Sequence, residues 1–256
     1  MRTMLFWAGL LCFFACQTEQ KPVPAPASVP ADDVKTAHPY RAGDVLHAHA
    51  RAGLTLRRSA GPDAEKVGSI PYAQSVTVVA LPEGGAPYVA EAIGPYAVSG
   101  YWPKVRTSDG KEGYVFDGYL SVYPTLKEDP EDGMDYGDAF YGLVSKRRGG
   151  RQKLIEQEPG LMFEHSYSQA FENGSVYTSK FYEGGATYVF ETPKGAHRMA
   201  ELLVLLRSFY YPEAVNTKWD EAEKAVLVTP VEEGYSFLKI RETADGGLRA
   251  EFAVAD

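Results

Sequence analysis

Short runs in which apolar and polar residues alternate make up the middle of the chain, from about residue 45 to residue 123. Residues 76–80 are rich in β-branched side chains, which favours a strand. Residues 101–106 and 113–116 are two further apolar runs, and Asp109-Gly110 between them is a strong turn signal, because glycine adopts positive φ without a Cβ clash. The pattern predicts strands joined by tight turns, with a hairpin at residues 101–116.

A second strand-rich pattern occupies residues 138–256. Strands are predicted at 161–171, 176–182 and 188–190, separated by glycine-containing turns, and again at 215–219, 225–231, 235–243 and 248–254. Both groups have the short spacing of antiparallel meanders. They predict two meanders in this part of the chain.

One helix is predicted between the two meanders. Thr192-Pro193 has the composition of a helix start, and Pro212 of a helix end. Apolar residues recur between them at spacings of three and four, which gives one broad helical face: Met199, Leu202, Leu203, Leu206, Phe209 and Tyr210. One helix on antiparallel strands predicts an α+β layer for residues 138–256.

The strands of the middle region resemble the bacterial SH3-like domain over residues 45–123. The residues that carry the resemblance are the stretch GLTLR from Gly53 to Arg57, VGSIPY from Val67 to Tyr72, and GYWPKVRTSDGKEGYVFDGYL from Gly100 to Leu120. The chain departs from the family pattern at residues 58–60, at Gln74 and at Tyr114. The resemblance implies a small all-β barrel that acts as a binding module, and it does not name the ligand. The predicted fold class is therefore multidomain, an SH3-like barrel followed by an α+β domain.

Aromatic residues are concentrated in the later half of this predicted barrel. Residues 81–100 form an insertion rich in glycine, proline and tyrosine, which predicts a recognition loop with exposed tyrosines. Trp102 is predicted to lie partly in the core. Aromatic rings bury much area with little loss of rotamer entropy, so they suit the binding of an extended chain. The candidate ligand-binding residues are Tyr88, Tyr96, Tyr101, Trp102, Tyr114 and Tyr119.

Residues 1–15 have the features of a targeting segment: Arg2 precedes an apolar run that is too short to span a bilayer as a helix. The following Cys16 resembles the lipidated cysteine of a bacterial lipobox. Residues 16–44 are a proline-rich linker that favours an extended spacer. Cys12 and Cys16 are the two cysteines of the chain, so a processed chain has no thiol left for a disulfide, a zinc site or a nucleophile.

The formal charge of −8 gives no broad basic face, which argues against nucleic acid as a partner. Residues 124–137 are acidic and predict a solvated linker, because the spacing of their side-chain oxygens does not fit a calcium loop. His47 and His49 would share one face of a strand and form a pair of metal ligands, but no third ligand is evident nearby. No metal and no cofactor are predicted.

Catalytic motifs are absent from the sequence. The cell-wall hydrolases that often carry SH3-like domains use a cysteine nucleophile, which the processed chain lacks. Glycoside cleavage by a pair of carboxylates remains an alternative for the second strand-rich part. The candidate residues, which lie near His165 in the sequence, are Glu156, Glu158, Glu164 and Glu172. A basic cluster at Arg147, Arg148, Arg151 and Lys153 fits a solvated turn or a contact with an anion or a protein.

These observations predict a non-enzymatic, membrane-anchored envelope lipoprotein. Its barrel is expected to bind a cell-wall peptide or an envelope protein, and the chain is expected at the outer membrane, facing the periplasm. Two alternatives stay open: hydrolase activity in residues 138–256, and a scaffolding role in an envelope complex. A cleft lined by converging carboxylates would favour the enzyme, and an exposed aromatic groove would favour binding.

Overall fold

Side chains that alternate between the core and the surface define the strands of the first segment, residues 38–125. In β2 (Leu54–Arg57) the two leucines are buried, and in β4 (Ser75–Ala80) Val76 and Val78 are buried while their neighbours are partly exposed. This period of two is that of a sheet with one face against a core. The computed structural model describes residues 38–125, 142, 152–154, 163–210, 214–231 and 236–255, with the backbone alone at 152–154 and 163–165.

The strands of the first segment form an antiparallel sheet of seven strands among the described residues, in the order β3-β2-β8-β7-β4-β1-β9. Their inward side chains form one hydrophobic cluster whose buried members all lie between residues 40 and 115. The other strands are β1 (Val45–Ala48), β3 (Lys66–Ile70), β7 (Lys104–Thr107), β8 (Glu112–Tyr114) and β9 (Leu120–Ser121). A 3-10 turn at Asp117–Tyr119 precedes β9.

The predicted hairpin is present, with shorter strands than expected. β7 and β8 pair in antiparallel register, and Gly110 takes a φ of 84° in the turn between them. Residues 101–103 lie outside the strands. The folded segment also begins earlier than the predicted boundary at residue 45, because Tyr40 is buried in the cluster and its hydroxyl donates to Asp117.

The insertion at residues 81–100 contains a β-hairpin where the sequence predicts a loop. β5 (Tyr88–Ile93) pairs with β6 (Tyr96–Gly100) in a two-stranded sheet that is separate from the seven-stranded one. Gly94 and Pro95 form the turn, and Gly94 takes a φ of 58°. Ile93 and Val98 are buried, so this hairpin contributes to a core and is not a free recognition loop.

The second segment is an antiparallel sheet of eight strands as far as the structure describes it, in the order β10-β11-β12-β13-β17-β16-β15-β14. The two predicted meanders are both present, and the pairing of β13 with β17 joins them into one sheet. Strands dominate this segment, so the prediction of an α+β domain holds only in part. The strands are β10 (Gln152–Leu154), β11 (Phe163–Ala170), β12 (Val176–Tyr182), β13 (Gly185–Thr192), β14 (Val215–Asp220), β15 (Ala225–Pro230), β16 (Ser236–Glu242) and β17 (Leu248–Ala255).

Helix α1 (Met199–Tyr210) packs its predicted apolar face on this sheet. It begins later than the predicted start at Thr192, because Thr192 pairs with Leu248 in the sheet and residues 193–196 form a turn. The Arg198 N–H instead donates to the Glu201 carboxylate at 3.4 Å, in the manner of a capping box. No helix among the described residues is long and apolar enough to cross a membrane.

Residues of both segments meet in a single hydrophobic cluster. Ile93, Val98 and Phe116 of the first segment pack with α1 and with the inward side chains of β15 and β16. The described residues of both segments accordingly belong to one compact unit. The predicted targeting segment, Cys16, residues 16–37 of the proline-rich linker and residues 126–137 of the acidic linker lie outside the described residues.

Candidate functional site

A cleft of about 420 Å³ opens in the first segment beside the start of the β5–β6 hairpin. The loop after β4 and residues 100–102 form two of its walls. Four aromatic side chains line it, and all four are among the predicted ligand-binding residues: Tyr88, Tyr101, Trp102 and Tyr114. We call it the aromatic cleft. Its other lining residues are Ala60, Ala80, Leu81, Pro82, Glu83, Gly84, Ala86 and Gly100.

Two rings of the aromatic cleft, Tyr88 and Trp102, pack against each other and against Phe116. The Tyr88 ring lies 6.0 Å from the Trp102 ring and meets Phe116 edge-on at 5.5 Å, measured between centroids. Trp102 lies 5.7 Å from Phe116. The guanidinium of Arg57 lies 5.7 Å from the Trp102 ring, within the range of a cation–π contact. Trp102 thus has one face towards the core and contributes another to the cleft.

Asp117 fixes the backbone that carries two of these rings. Its Oδ1 accepts the Tyr101 N–H at 2.6 Å, and its backbone N–H donates to the Tyr101 carbonyl at 3.0 Å. Its other carboxylate oxygen accepts the Tyr40 hydroxyl. Burial raises the pKa of Asp117, and the hydrogen bonds from Tyr40 and the Tyr101 N–H act against that rise. Asp117-Gly118 is recognisable in the sequence as a turn, but nothing in the sequence predicts its bond to Tyr101.

The polar atoms of the four rings are available to a ligand. No hydrogen bond within the described part of the chain uses the hydroxyls of Tyr88, Tyr101 and Tyr114 or the indole N–H of Trp102. Tyr88 and Leu81, which both line the cleft, are each 40% exposed, so the cleft presents apolar surface to solvent. Such a surface provides flat apolar area together with donors for backbone carbonyls.

Tyr96 and Tyr119, the other two predicted residues, do not line the aromatic cleft. The Tyr96 ring meets Trp219 of β14 at 5.7 Å, and its hydroxyl donates to Glu242 at 2.9 Å. Burial and the bond to Glu242 raise the pKa of Tyr96 to about 12. Tyr119 packs on the shared cluster, and its hydroxyl lies 3.5 Å from Glu91. Both rings therefore serve the contact between the segments.

A second cleft, of about 360 Å³, lies between the two segments. The turn between β1 and β2 forms one side, and the later half of α1 with the start of β14 forms the other. We call it the junction cleft. It is lined by His49, Ala50, Arg51, Ala52, Gly53, Leu54, Tyr119, Val204, Arg207, Ser208, Ala214 and Val215.

His49, one of the two histidines considered as a metal pair, bridges the segments through both of its ring nitrogens. Its Nδ1 lies 2.8 Å from the Ser208 Oγ, and its Nε2 lies 2.9 Å from the Tyr123 carbonyl. His49 follows the end of β1 and is buried, and burial lowers its pKa to about 4. No group of three or more histidine, cysteine, aspartate or glutamate residues that could hold a metal ion occurs within the ranges that the structure describes.

The glutamates named as candidates for glycoside cleavage do not form a site within the residues that the structure describes. Glu156 and Glu158 lie outside the described residues, and Glu164 and His165 are described by their backbone alone. Glu172 is exposed in the turn after β11. The basic cluster at 147–151 lies outside the described residues as well, and Lys153 is described only as backbone in β10.

The comparisons with known proteins concern the first segment. No curated protein matches the chain. A family model does match, at residues 52–121, and it covers the strands from β2 to β9 together with all four rings of the aromatic cleft. The family that this part of the chain matches is the bacterial SH3 domain.

Proposed function

We propose that this protein is a non-catalytic envelope lipoprotein that binds an extended peptide in the aromatic cleft. The observation that carries the proposal is the convergence of Tyr88, Tyr101, Trp102 and Tyr114 on one cleft, with their polar atoms unused by the described residues. An extended peptide presents alternate side chains to apolar surface and carbonyl oxygens to donors, which is what these four rings offer.

The family match supports a ligand from the cell wall. Bacterial SH3 domains are commonly cell-wall binding modules, and the match covers every ring of the cleft. We therefore propose a peptide of the cell wall as the ligand, ahead of a protein of the envelope. The lipid on Cys16 is the proposed anchor, and the outer membrane, facing the periplasm, is the proposed location.

The test is a binding assay on purified cell wall and on its soluble peptide fragments. Tyr101→Ala removes a cleft ring, and Tyr182→Ala is the matched control, because Tyr182 is also a partly exposed tyrosine but lies in β12 of the second segment. Loss of one buried ring weakens binding by about tenfold or more. We expect Tyr101→Ala to lose this affinity and Tyr182→Ala to keep it.

Other outcomes would separate the remaining function classes. Capture of one envelope protein that depends on Tyr101, without cell-wall binding, would identify a protein partner. Release of soluble sugars or peptides from the cell wall by the purified chain would contradict the non-catalytic proposal. Equal binding by both variants would show that the aromatic cleft is not the binding site.

The lipid anchor is tested separately by labelling with a radioactive fatty acid. Cys16→Ala is expected to abolish both the label and retention in the membrane fraction. Cys12→Ala is the matched control, because it removes the other thiol of the same segment and leaves Cys16 in place. Undiminished labelling of Cys16→Ala would contradict the anchor.

A further inference from the structure

Arg51 is held in a fixed orientation at the edge of the junction cleft. Its Nε donates to the Ser208 carbonyl at 2.7 Å, and its guanidinium lies 4.0 Å from the centroid of the Tyr72 ring. The Tyr72 hydroxyl donates to the same Ser208 carbonyl at 3.2 Å. These contacts satisfy a carbonyl in the last turn of α1, and they also order the Arg51 side chain in advance of any ligand.

Most of the hydrogen-bonding capacity of Arg51 remains unused. A guanidinium has five N–H donors, and only the Nε of Arg51 has a partner within the described part of the chain. No carboxylate there pairs with it. Arg207, the other arginine of the cleft, differs in this respect, because its Nη1 lies 2.9 Å and 3.0 Å from the two carboxylate oxygens of Glu91.

The lining of the junction cleft favours an anion. No aspartate or glutamate is among the described residues that line it. Arg51 supplies its positive charge, because Arg207 is paired with Glu91 and the lowered pKa of His49 leaves that ring uncharged near neutral pH. This composition contrasts with a chain whose formal charge is −8. Leu54, Val204 and Val215 supply an apolar wall next to these polar groups. A volume of about 360 Å³ is that of a small ligand pocket.

We propose that the junction cleft binds a small organic carboxylate with an apolar body, about the size of an acylated amino acid. The carboxylate accepts hydrogen bonds from the two terminal nitrogens of Arg51, which present a planar pair of donors. The apolar body lies on Leu54, Val204 and Val215. This site is separate from the aromatic cleft, and it does not depend on the function proposed above.

The test uses N-acetyl-leucine as the probe, titrated calorimetrically into the full chain, with N-acetyl-leucinamide as the uncharged comparison. We expect saturable binding of the acid and at least about tenfold weaker binding of the amide, because the charged acceptor is lost. A tetrapeptide ending in leucine, with a free or an amidated carboxyl group, distinguishes a peptide terminus from a free amino-acid derivative as the source of the carboxylate.

Three variants locate the site. Arg51→Gln should weaken binding about tenfold. Arg58→Gln is the matched control, because Arg58 is an exposed arginine of the same segment paired with Glu65, and it should bind as the parent does. Ala52→Phe adds bulk to the cleft and keeps Arg51, so it tests the site even if Arg51→Gln does not fold. Equal affinity for acid and amide, absence of saturable binding by both acids, or undiminished binding by Ala52→Phe would each overturn the proposal.

Discussion

Gly94 lies directly against the indole of Trp219, and a hydrogen is all that fits between them. A Cβ built on Gly94 would lie 2.6 Å from the Trp219 Cβ and 2.8 Å from its Cδ1. Gly94 also takes a φ of 58°, which disfavours a side chain for a second reason. The turn of the β5–β6 hairpin is therefore fitted to β14 of the second segment.

Replacing Gly94 by alanine should destabilise the protein more than the same change elsewhere. We expect Gly94→Ala to lower the free energy of unfolding by about 2–4 kcal/mol, because the cost of positive φ and the overlap with Trp219 add. Gly84→Ala is the matched control, since Gly84 has a φ of 93° and no atom lies within 4 Å of the position that its Cβ would take. Urea denaturation measures both, and equal losses would show that the Trp219 contact is not tight.

Trp219 should also influence the aromatic cleft, because Tyr88 is at the other end of the hairpin that Trp219 holds. In a chain that carries Trp7→Phe, Trp219→Ala and Trp219→Phe each leave Trp102 as the one tryptophan. We expect Trp219→Ala to increase acrylamide quenching of Trp102 and Trp219→Phe to preserve it, since phenylalanine retains an aromatic ring. Identical quenching of Trp102 in the two variants, when both are folded, would show that the Trp219 contact does not influence the aromatic cleft through the hairpin.

Tyr96 and Tyr88 should differ in their effects on stability, although both belong to the insertion. We expect Tyr96→Ala to lower the free energy of unfolding by about 2–3 kcal/mol, because its ring packs on Trp219. Tyr88→Ala should cost about 1 kcal/mol, since Tyr88 is 40% exposed. This reverses the expectation from the sequence that Tyr96 is free of core contacts. Thermal denaturation of both variants checks it, and an unchanged melting temperature in Tyr96→Ala would contradict it.

His49 should make stability depend on pH between about 4 and 6.5. Burial is the main cause that lowers its folded-state pKa to about 4; the hydrogen bond to the Tyr123 carbonyl acts against it, and the nearby His47 and Arg51 act with it. As pH falls, His49 is protonated near pH 6.5 in the unfolded chain but only near pH 4 in the folded chain. Its contribution to stability is therefore fully present above pH 6.5 and is lost as pH falls to about 4. The loss is about 3 kcal/mol for a shift of this size. His49→Gln should flatten the pH dependence measured by urea denaturation, and an unaltered slope would contradict this role.

The first segment is predicted to retain its own core when expressed as residues 38–125. All buried members of its cluster belong to that segment. Ile93 and Val98 instead pack with α1, so the β5–β6 hairpin loses its cover in the fragment. Hydrogen exchange should show protected amides in β2, β4 and β7 and fast exchange in β5 and β6. Protection of β5 equal to that in the full chain would show that the hairpin is stable by itself.

Local patterns were sufficient for the strands of the second segment's two meanders and for the face of the helix. The predicted strand 176–182 coincides with β12, because Asn173-Gly174 and residues 183–184 are turns with strong local preferences. The β5–β6 hairpin was not predicted, since its glycines and prolines indicate a loop and its buried positions face another part of the chain. Tertiary packing determines that hairpin, and a single sequence carries little information about such packing.

The aromatic cleft, like the fold, could be predicted from the sequence only in part. The family resemblance and the density of aromatic residues indicated the four rings that line the aromatic cleft. The diversion of Tyr96 and Tyr119 to the contact with the second segment was not predictable, because it depends on Trp219, Glu242 and Arg207, more than 80 residues further along the chain. Arg51 carried no signal at all, since its orientation is fixed by the Ser208 carbonyl and the Tyr72 ring, both distant from it in the sequence.

The position of β17 has a consequence for the way the protein reaches its folded state during synthesis. β17 is the last strand of the second segment in chain order, yet it lies between β13 and β16 and connects the two meanders. Until residues 248–255 are available to pair, β13 and β16 both expose edges that invite pairing with other chains. The early meander must therefore wait for β17, and a chaperone that shields these edges has a definite period in which to act.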